Sequence, residues 1–238
     1  MRFIKRFGIM VGLIIAVTFA SLGLTQCSNY DPSNYIGNNT GTDWDGYKSG
    51  NLSVNDAGTI TGNNNYTAEN LVIPHQIRTA DGKVIKLKEI GGSAFLNKTS
   101  LTGTIHFPNT LELIGGSAFL NCTGLRGDLI IPDSVLFIGG SAFANCSGFN
   151  QALKIYGDSI PTIGSSAFSG CSGFTKIVFI DWNVLPDWTT VQIFNGFKND
   201  ENNPGVFYTQ NGLAPANTIL NKLKTLYGLP ENWYTTSN

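Results

Sequence analysis

The sequence has little charge and almost no histidine: 13% of its residues are Asp, Glu, Lys or Arg, and only two of 238 are His. Its 15 Lys and Arg residues face 16 Asp and Glu residues, without the basic clusters that binding to a phosphate backbone needs. We therefore expect no nucleic-acid partner. The shortage of acids and histidines also leaves little material for an active site, so we expect no catalysis and no cofactor.

Sequence patterns typical of metal binding are also missing. Three cysteines, Cys122, Cys146 and Cys171, lie at wide and nearly equal intervals that match no zinc pattern, and no histidine accompanies them. The tracts Asp43–Asp45 and Asn199–Asn203 offer oxygen ligands but lack the alternating ligand positions and the glycine of a calcium loop. We therefore expect no metal site. The 42% of hydrophobic residues is enough for a sizeable core.

The N-terminus has the pattern of an export signal. Three bases lie within Met1–Arg6, and an almost unbroken apolar run, Gly8–Leu24, follows them. The run ends at Leu24-Thr25-Gln26-Cys27, which resembles the lipobox of bacterial lipoproteins, in which a diacylglyceryl group is attached to the cysteine and the chain is cleaved before it. Gln26 departs from the usual Gly, Ala or Ser. An uncleaved anchor is the alternative, since the length of the run is close to the shortest that spans a membrane.

Both alternatives place the rest of the chain outside the cytoplasm and attach it to a membrane. We expect a lipoprotein signal peptide over residues 1–26, lipidation at Cys27, and a polar tether over residues 27–50. Removal of the signal peptide leaves 12 bases against 16 acids, a net charge of −4.

The middle of the chain repeats itself. A six-residue word, Ile-Gly-Gly-Ser-Ala-Phe or Ile-Gly-Ser-Ser-Ala-Phe, occurs four times at a nearly constant period and ends at Phe95, Phe119, Phe143 and Phe168. A short alternation of apolar and polar residues follows each word, and Pro or Gly ends it, which is typical of a strand. A period of this length predicts a solenoid in which each repeat packs on its neighbours.

This pattern resembles the BspA-like leucine-rich repeats of bacterial surface antigens, over about Leu71–Phe179. The resemblance implies a leucine-rich repeat solenoid with short parallel strands, one per repeat of roughly two dozen residues. It also implies adhesion to a host extracellular-matrix or plasma protein, or to another bacterial surface protein.

Two sets of repeated residues are predicted to form an interior ladder, in which equivalent side chains of successive repeats stack. Free cysteine packs as a small hydrophobe, and buried aromatic rings stabilise each other by about 0.5–1.5 kcal/mol per pair. The expected ladder comprises Phe95, Phe119, Phe143 and Phe168 together with Cys122, Cys146 and Cys171.

Both ends of the repeats need caps. We expect an N-terminal β cap within a solenoid domain that covers residues 51–180, with a protruding hairpin around Thr79–Lys83. A C-terminal cap over residues 181–238 is expected to contain a helix at about 215–227, with Ile219, Leu220, Leu223, Leu226 and Tyr227 on one apolar face.

The outward side chains of the predicted strands are the candidate binding face, because an extended solenoid sheet is the usual binding surface of such proteins. The mixed apolar and charged composition is that of a protein-contact surface. We call this set the strand face: Thr104, His106, Asp128, Ile130, Ala152, Lys154, Lys176 and Val178.

These features favour a lipid-anchored cell-surface protein that binds another protein. The alternative is a structural or assembly subunit of an envelope lipoprotein complex, whose partner would come from the same cell. A carbohydrate hydrolase would need paired carboxylates in a cleft. Glu89 and Glu112 occur near equivalent turn positions of successive repeats, which the repeat itself explains.

Overall fold

The computed structural model describes residues 52–63, 70–78, 82–157, 161–180, 193–197, 205–209 and 216–235. The predicted signal peptide, Cys27, the tether and the polar tract Asn199–Asn203 lie outside these residues. Residues 43–238 form one compact unit.

The described residues form fifteen short strands and one helix, α1, over Ala216–Tyr227. The strands are β1 (Leu52–Val54), β2 (Thr59–Asn63), β3 (Leu71–Val72), β4 (Gln76–Arg78), β5 (Val84–Lys86), β6 (Glu89–Ile90), β7 (Ile105–His106), β8 (Leu113–Ile114), β9 (Leu129–Ile131), β10 (Phe137–Ile138), β11 (Ala152–Tyr156), β12 (Thr162–Ile163), β13 (Lys176–Ile180), β14 (Val206–Thr209) and β15 (Tyr234–Thr235).

Two sheets run along the repeats. A six-stranded sheet has the order β1-β2-β6-β8-β10-β12, and a five-stranded sheet has the order β15-β14-β13-β11-β9. Neighbouring repeats pair in parallel and in register, as in Ile114 with Ile138 and Leu129 with Leu153. The predicted solenoid with short parallel strands is confirmed. Each repeat contributes two strands rather than the single predicted one, because the isoleucine that begins the repeated word lies in a two-residue strand of its own.

A third side of each repeat is built from turns that bond to the next repeat. The amide N–H groups of Ser93, Phe95 and Asn97 donate to the carbonyls of Gly116, Ala118 and Leu120, at N to O distances of 2.8–3.0 Å. Serine and asparagine take left-handed φ angles here, for example 59° at Ser93 and at Asn97. The asparagine side chains form a column, in which the Asn121 amide nitrogen donates to the Asn97 oxygen at 2.7 Å. These bonds satisfy backbone groups that the turns would otherwise leave unpaired.

The core is a column of stacked phenylalanine rings. Ring centroids of Phe95, Phe119, Phe143 and Phe168 lie 4.9, 5.1 and 5.5 Å apart in sequence order, with interplanar angles of 4–6°. A fifth ring, Phe194, stacks on Phe168 at 5.9 Å. All five side chains are fully buried. Burying each ring contributes about 1.5–3 kcal/mol, so this column is a large contributor to the stability of the repeats.

The two ends of the repeats are covered as far as the structure describes them. β1 and β2 form an antiparallel pair, and β2 bonds in parallel to β6, the first strand of the repeated word. The antiparallel strands β4 and β5 form the hairpin that the sequence predicts as an insert. At the other end Trp233 is buried and packs on Phe197 at 5.8 Å between ring centroids.

Helix α1 closely matches the predicted range, and Leu220, Leu223 and Tyr227 are buried. The placement of Leu226 on the buried face is wrong, because its side chain is half exposed. Leu226 precedes Tyr227 on the helix, so its side chain points about 100° away from that of Tyr227, which occupies the buried position.

Candidate functional site

Regular strand pairing arranges the strand face in two rows. In one row Lys154 lies beside Ile130 on one side and Val178 on the other, and in the second row Ala152 lies beside Lys176. Adjacent positions are about 4.8 Å apart across parallel strands. His106 belongs to β7, which pairs with β3 and places Val72 beside it. The core residues between these positions, such as Leu129 and Leu153, point inward and are fully buried.

The N-terminal part of the strand face is a chain of hydrogen bonds. The Asn70 side-chain oxygen accepts bonds from both the backbone N–H and the hydroxyl of Thr104, each at 2.9 Å. Because the Thr104 hydroxyl donates to Asn70, it accepts from His106 Nε2, which lies 2.8 Å away. This arrangement assigns the proton of the neutral ring to Nε2. Partial burial lowers the pKa of His106, which keeps the ring uncharged at neutral pH.

The middle of the strand face is held by a half-buried ion pair. The Asp128 carboxylate accepts from Lys154 Nζ at 2.7 Å and from the backbone N–H of Ala152 at 2.7 Å. The Ala152 side chain is itself only 4% exposed. Asp128 therefore ties two adjacent strands together and fixes the lysine that lies between Ile130 and Val178.

The remaining surface of the strand face is apolar with one positive charge. Ile130 and Val178 are half-buried, and Lys176 is exposed at the start of β13. β14 and β15 extend the five-stranded sheet beyond the repeats and bring the exposed Tyr234 to its far edge. This extension is not predicted by the repeats because β14 and β15 lie outside the repeated pattern. The alternation Val-Phe-Tyr-Thr at 206–209 is the signal that could have indicated it.

Acid–base chemistry has little support among the described residues. His75 lies directly after Pro74, and both partial burial and the charge of Lys86 lower its pKa. The hydrogen bond of His106 to Thr104 is part of the structural chain described above. In the part of the chain that the structure describes, no group of three or more His, Cys, Asp or Glu residues is placed to hold a metal ion. None of the helices there is long and apolar enough to cross a membrane.

The three described cysteines are free and fully buried thiols. Each donates to a phenylalanine carbonyl of the preceding repeat, as Cys122 Sγ does to Phe95 at 3.0 Å and Cys146 Sγ does to Phe119 at 3.0 Å. Burial raises the pKa of Cys122 to about 12 and also raises the pKa of Cys146 and of Cys171. The first repeat has the half-exposed Lys98 in place of cysteine.

We expect these thiols to be unreactive in the folded protein. Because the thiolate is the nucleophile and its fraction at pH 8 is negligible for a pKa of about 12, iodoacetamide should not label the native chain that starts at Ser28. In denaturant all three thiols should be labelled, which mass spectrometry can count. Rapid labelling of the native chain would contradict the buried position of this column.

A second exposed surface was not predicted from the sequence. It lies on the outer side of the six-stranded sheet, where Phe137 pairs in register with Leu113 on one side and Thr162 on the other. Leu136 is 58% exposed and Phe137 is 38% exposed. Leu136 directly precedes the two-residue strand that begins at Phe137, and a strand this short has no alternation in the sequence from which it could be predicted.

Comparison with known proteins identifies the repeats. Residues 87–185 match the family model of the BspA type leucine rich repeat region, in six copies. The predicted resemblance is therefore confirmed for this part of the chain. Solenoids of this kind are typically binding scaffolds that mediate protein contacts. Comparison with curated proteins gives no match.

Two solved structures are similar to this chain. One is a leucine rich cell surface protein from Faecalibacterium prausnitzii A2-165, with 20% identity, a TM-score of 0.36, and coverage of 59% of this chain and 55% of the other. The second is a leucine-rich repeat protein from Bacteroides ovatus ATCC 8483, with 17% identity, a TM-score of 0.28, and coverage of 68% and 54%. The chain thus spans about half the length of either protein.

Proposed function

We propose that this chain, whose residues 87–185 form a BspA-type leucine-rich repeat region, is an adhesin-like protein of the bacterial surface without catalytic activity. A lipid on Cys27 would hold it to a membrane, and its strand face would bind a host matrix or plasma protein or a protein of a neighbouring cell. The export signal and the lipobox-like Leu24–Cys27 support the location.

The observation that carries the binding proposal is that some side chains of the strand face bond to each other, whereas the others make no such bonds. Asp128 and Lys154 satisfy each other, and Asn70, Thr104 and His106 are joined by hydrogen bonds. Preformed bonds of this kind lower the entropy that a surface loses on binding.

Three side chains of the strand face are left to contact a partner. Ile130 and Val178 occupy the same row on either side of Lys154. Lys176 is exposed and lies beside Ala152 on the neighbouring strand. Such a surface suits a protein segment with apolar side chains and an acidic group.

Substituting these three side chains together should strongly weaken capture of the partner. The triple variant Ile130→Ser, Val178→Ser and Lys176→Gln is expected to weaken binding by at least about tenfold, since a few central side chains of an interface, which cost more than about 1 kcal/mol each when truncated, dominate its binding energy. Surface plasmon resonance of the chain that starts at Ser28, against host matrix and plasma proteins and against envelope extracts of the same cells, measures this.

The matched control is Leu136→Ser with Phe137→Ser, which alters an apolar pair on the other sheet and should leave protein capture unchanged. Thermal melting monitors the folding of both variants. Wild-type affinity in the triple variant would remove the strand face from consideration. Capture of a partner only from envelope extracts would contradict adhesion and favour the alternative function, a structural or assembly subunit of an envelope lipoprotein complex.

Lipidation is tested separately in a bacterial host. Radiolabelled palmitate should be incorporated into the wild-type chain and not into Cys27→Ser. Equal labelling of the two chains, or none in the wild type, would contradict the anchor.

A further inference from the structure

Large apolar side chains are concentrated on the outer side of the six-stranded sheet. Leu136 and Phe137 are exposed there, and Leu113, which pairs in register with Phe137, is half-buried. Backbone bonds from Leu136 N to Glu112 O at 2.9 Å and from Glu112 N to Lys88 O at 2.7 Å place Lys88, Glu112 and Leu136 in one row. We call the three apolar residues Leu113, Leu136 and Phe137 the outer patch.

The charges around the outer patch leave no positive excess. The lysine and the glutamate of the row that contains Leu136 form an ion pair at 2.7 Å. Beyond that pair, the exposed cations Arg78 and Lys86 stand against the acids Glu89 and Asp133, and Asp81 adds one more acid in the chain between β4 and β5. Such a surface favours an occupant that is held by apolar contact rather than by charge.

The segment that precedes the sheet is richer in aromatic residues than a solvated linker. Four of the 23 residues in the range 28–50 are aromatic, and Trp44 and Tyr47 are the two that lie closest to β1 in the sequence. Flexible segments usually contain few aromatic residues, because burial of such a side chain lowers the free energy. Residues 43–48 are therefore a candidate occupant of an exposed apolar surface nearby.

The chain enters the repeats through the sheet that carries the outer patch. β1 begins at Leu52 and is the first strand of the six-stranded sheet. Leu52 pairs with Asn63, whose side-chain amide donates to the Ala94 carbonyl at 2.6 Å, so the entry lies beside the first copy of the repeated word. β10 is four strands away from β1, or about 19 Å at 4.8 Å per strand. The eight residues from Trp44 to Leu52 span up to about 26–29 Å, which is enough to reach Phe137.

The strand face is a less suitable surface for the same segment. It belongs to the other sheets, and its residues nearest to β1 are the hydrogen-bonded Thr104 and His106. Its exposed apolar side chains, Ile130 and Val178, lie further along the repeats. The outer patch is on the sheet by which the chain enters, and its side chains are more exposed.

We propose that residues 43–48, through Trp44 and Tyr47, dock on the outer patch of the same chain. Two flat aromatic side chains cover Leu136 and Phe137, and each buries a large area at a low cost in conformational entropy. Docking shortens the free tether to residues 27–42 and leaves the strand face, on a different side of the same core, open to a partner. It requires neither the lipid on Cys27 nor the partner, and so goes beyond the proposed function.

The solvent exposure of Trp44 tests this docking in the chain that starts at Ser28. In a chain labelled with 5-fluorotryptophan, the fluorine resonance that disappears in Trp44→Phe is that of Trp44. A soluble nitroxide relaxes exposed fluorine nuclei, and the free peptide of residues 28–50 gives the value for full exposure. If at least about two-thirds of the molecules are docked, the relaxation of Trp44 should be at least about threefold weaker than in the peptide.

Two double variants locate the surface. Leu136→Ser with Phe137→Ser should raise the relaxation of Trp44 to the value of the free peptide. The matched control, Ile130→Ser with Val178→Ser on the strand face, should leave it as in the wild type. The buried Trp233 reports on folding, because its resonance stays shielded from the nitroxide in every folded variant. Added salt should change the relaxation of Trp44 little, since the contact is apolar.

Equal relaxation of Trp44 in the wild-type chain and in the free peptide would overturn the proposal. Shielding that persists in Leu136→Ser with Phe137→Ser, or that is lost in the strand-face variant, would also contradict it. Shielding that disappears on dilution would show that a second copy of the chain, rather than the same chain, supplies the segment. Palmitate labelling and partner capture do not enter these outcomes, so the docking and the proposed function fail or stand separately.

Discussion

Replacing Phe143 with alanine is expected to lower the free energy of unfolding by about 3–5 kcal/mol. The ring stacks on Phe119 at 5.1 Å and on Phe168 at 5.5 Å, and the edge of Phe107 lies 6.3 Å away between centroids. Its removal leaves a cavity in the middle of the column and deprives two neighbours of their partner. For a unit of this size the melting temperature should fall by roughly 10 °C or more.

Phe137→Ala provides the matched control, since it removes the same kind of side chain from an exposed position in β10, six residues before Phe143. Its cost should be below about 1 kcal/mol. Urea denaturation followed by circular dichroism compares the two variants. Equal stability of Phe143→Ala and Phe137→Ala would contradict the buried column.

The second large effect is expected from Gly139→Ala. A Cβ atom at Gly139 would lie 2.7 Å from the Gly115 carbonyl carbon and closer still to the Gly116 nitrogen. These are backbone atoms of the preceding repeat, which are held by the bond from Gly139 N to Ile114 O at 2.7 Å. Because the repeats cannot separate without losing such bonds, the methyl group should cost about 3 kcal/mol, at the upper end of the range for overpacking.

Gly140→Ala is the control one residue away. A Cβ there would meet only the Ser165 carbonyl oxygen, at 3.4 Å, so we expect a change in unfolding free energy within about 1 kcal/mol of zero. The comparison of midpoints in urea checks both variants. A destabilised Gly140→Ala beside an unaffected Gly139→Ala would show that the repeats approach each other at a different place.

The sequence is enough to predict the stacked repeats of the solenoid, because the residues that determine them are local and recur in each repeat. Four equivalent phenylalanines at a nearly constant interval identify the inward position, and the glycine after each isoleucine indicates the close approach seen at Gly139. The fifth ring, Phe194, was missed. It follows Ile193 rather than alanine, and Phe197 stands where the earlier repeats have cysteine.

Other features depend on interactions between repeats, which a single copy does not encode. A strand as short as Leu113–Ile114 is stabilised only by its neighbours on both sides, so period-two spacing cannot predict it. Serine has no intrinsic preference for the left-handed φ of 56° at Ser117, where the bond from its N–H to Gly140 O at 2.9 Å holds the turn.

The candidate binding surface was predictable as a row of positions but not as a set of contacts. Strand alternation places Lys154 and Asp128 outward, whereas their ion pair at 2.7 Å depends on the register between β9 and β11. The same register explains why Ala152 adds almost no surface: its short side chain lies between neighbouring strands. Phe137 begins β10, a strand that the sequence did not indicate, and Leu136 directly precedes it, so the exposure of both side chains followed only from the structure.

The most direct test of the stacked repeats is a nuclear Overhauser experiment on a deuterated chain with protonated phenylalanine rings. Centroid distances of 4.9–5.5 Å predict cross-peaks that link Phe95 to Phe119, Phe119 to Phe143 and Phe143 to Phe168. Rings two repeats apart, such as Phe95 and Phe143, should give none. Absence of the three expected contacts, or a strong contact between Phe95 and Phe143, would contradict a solenoid with one ring per repeat.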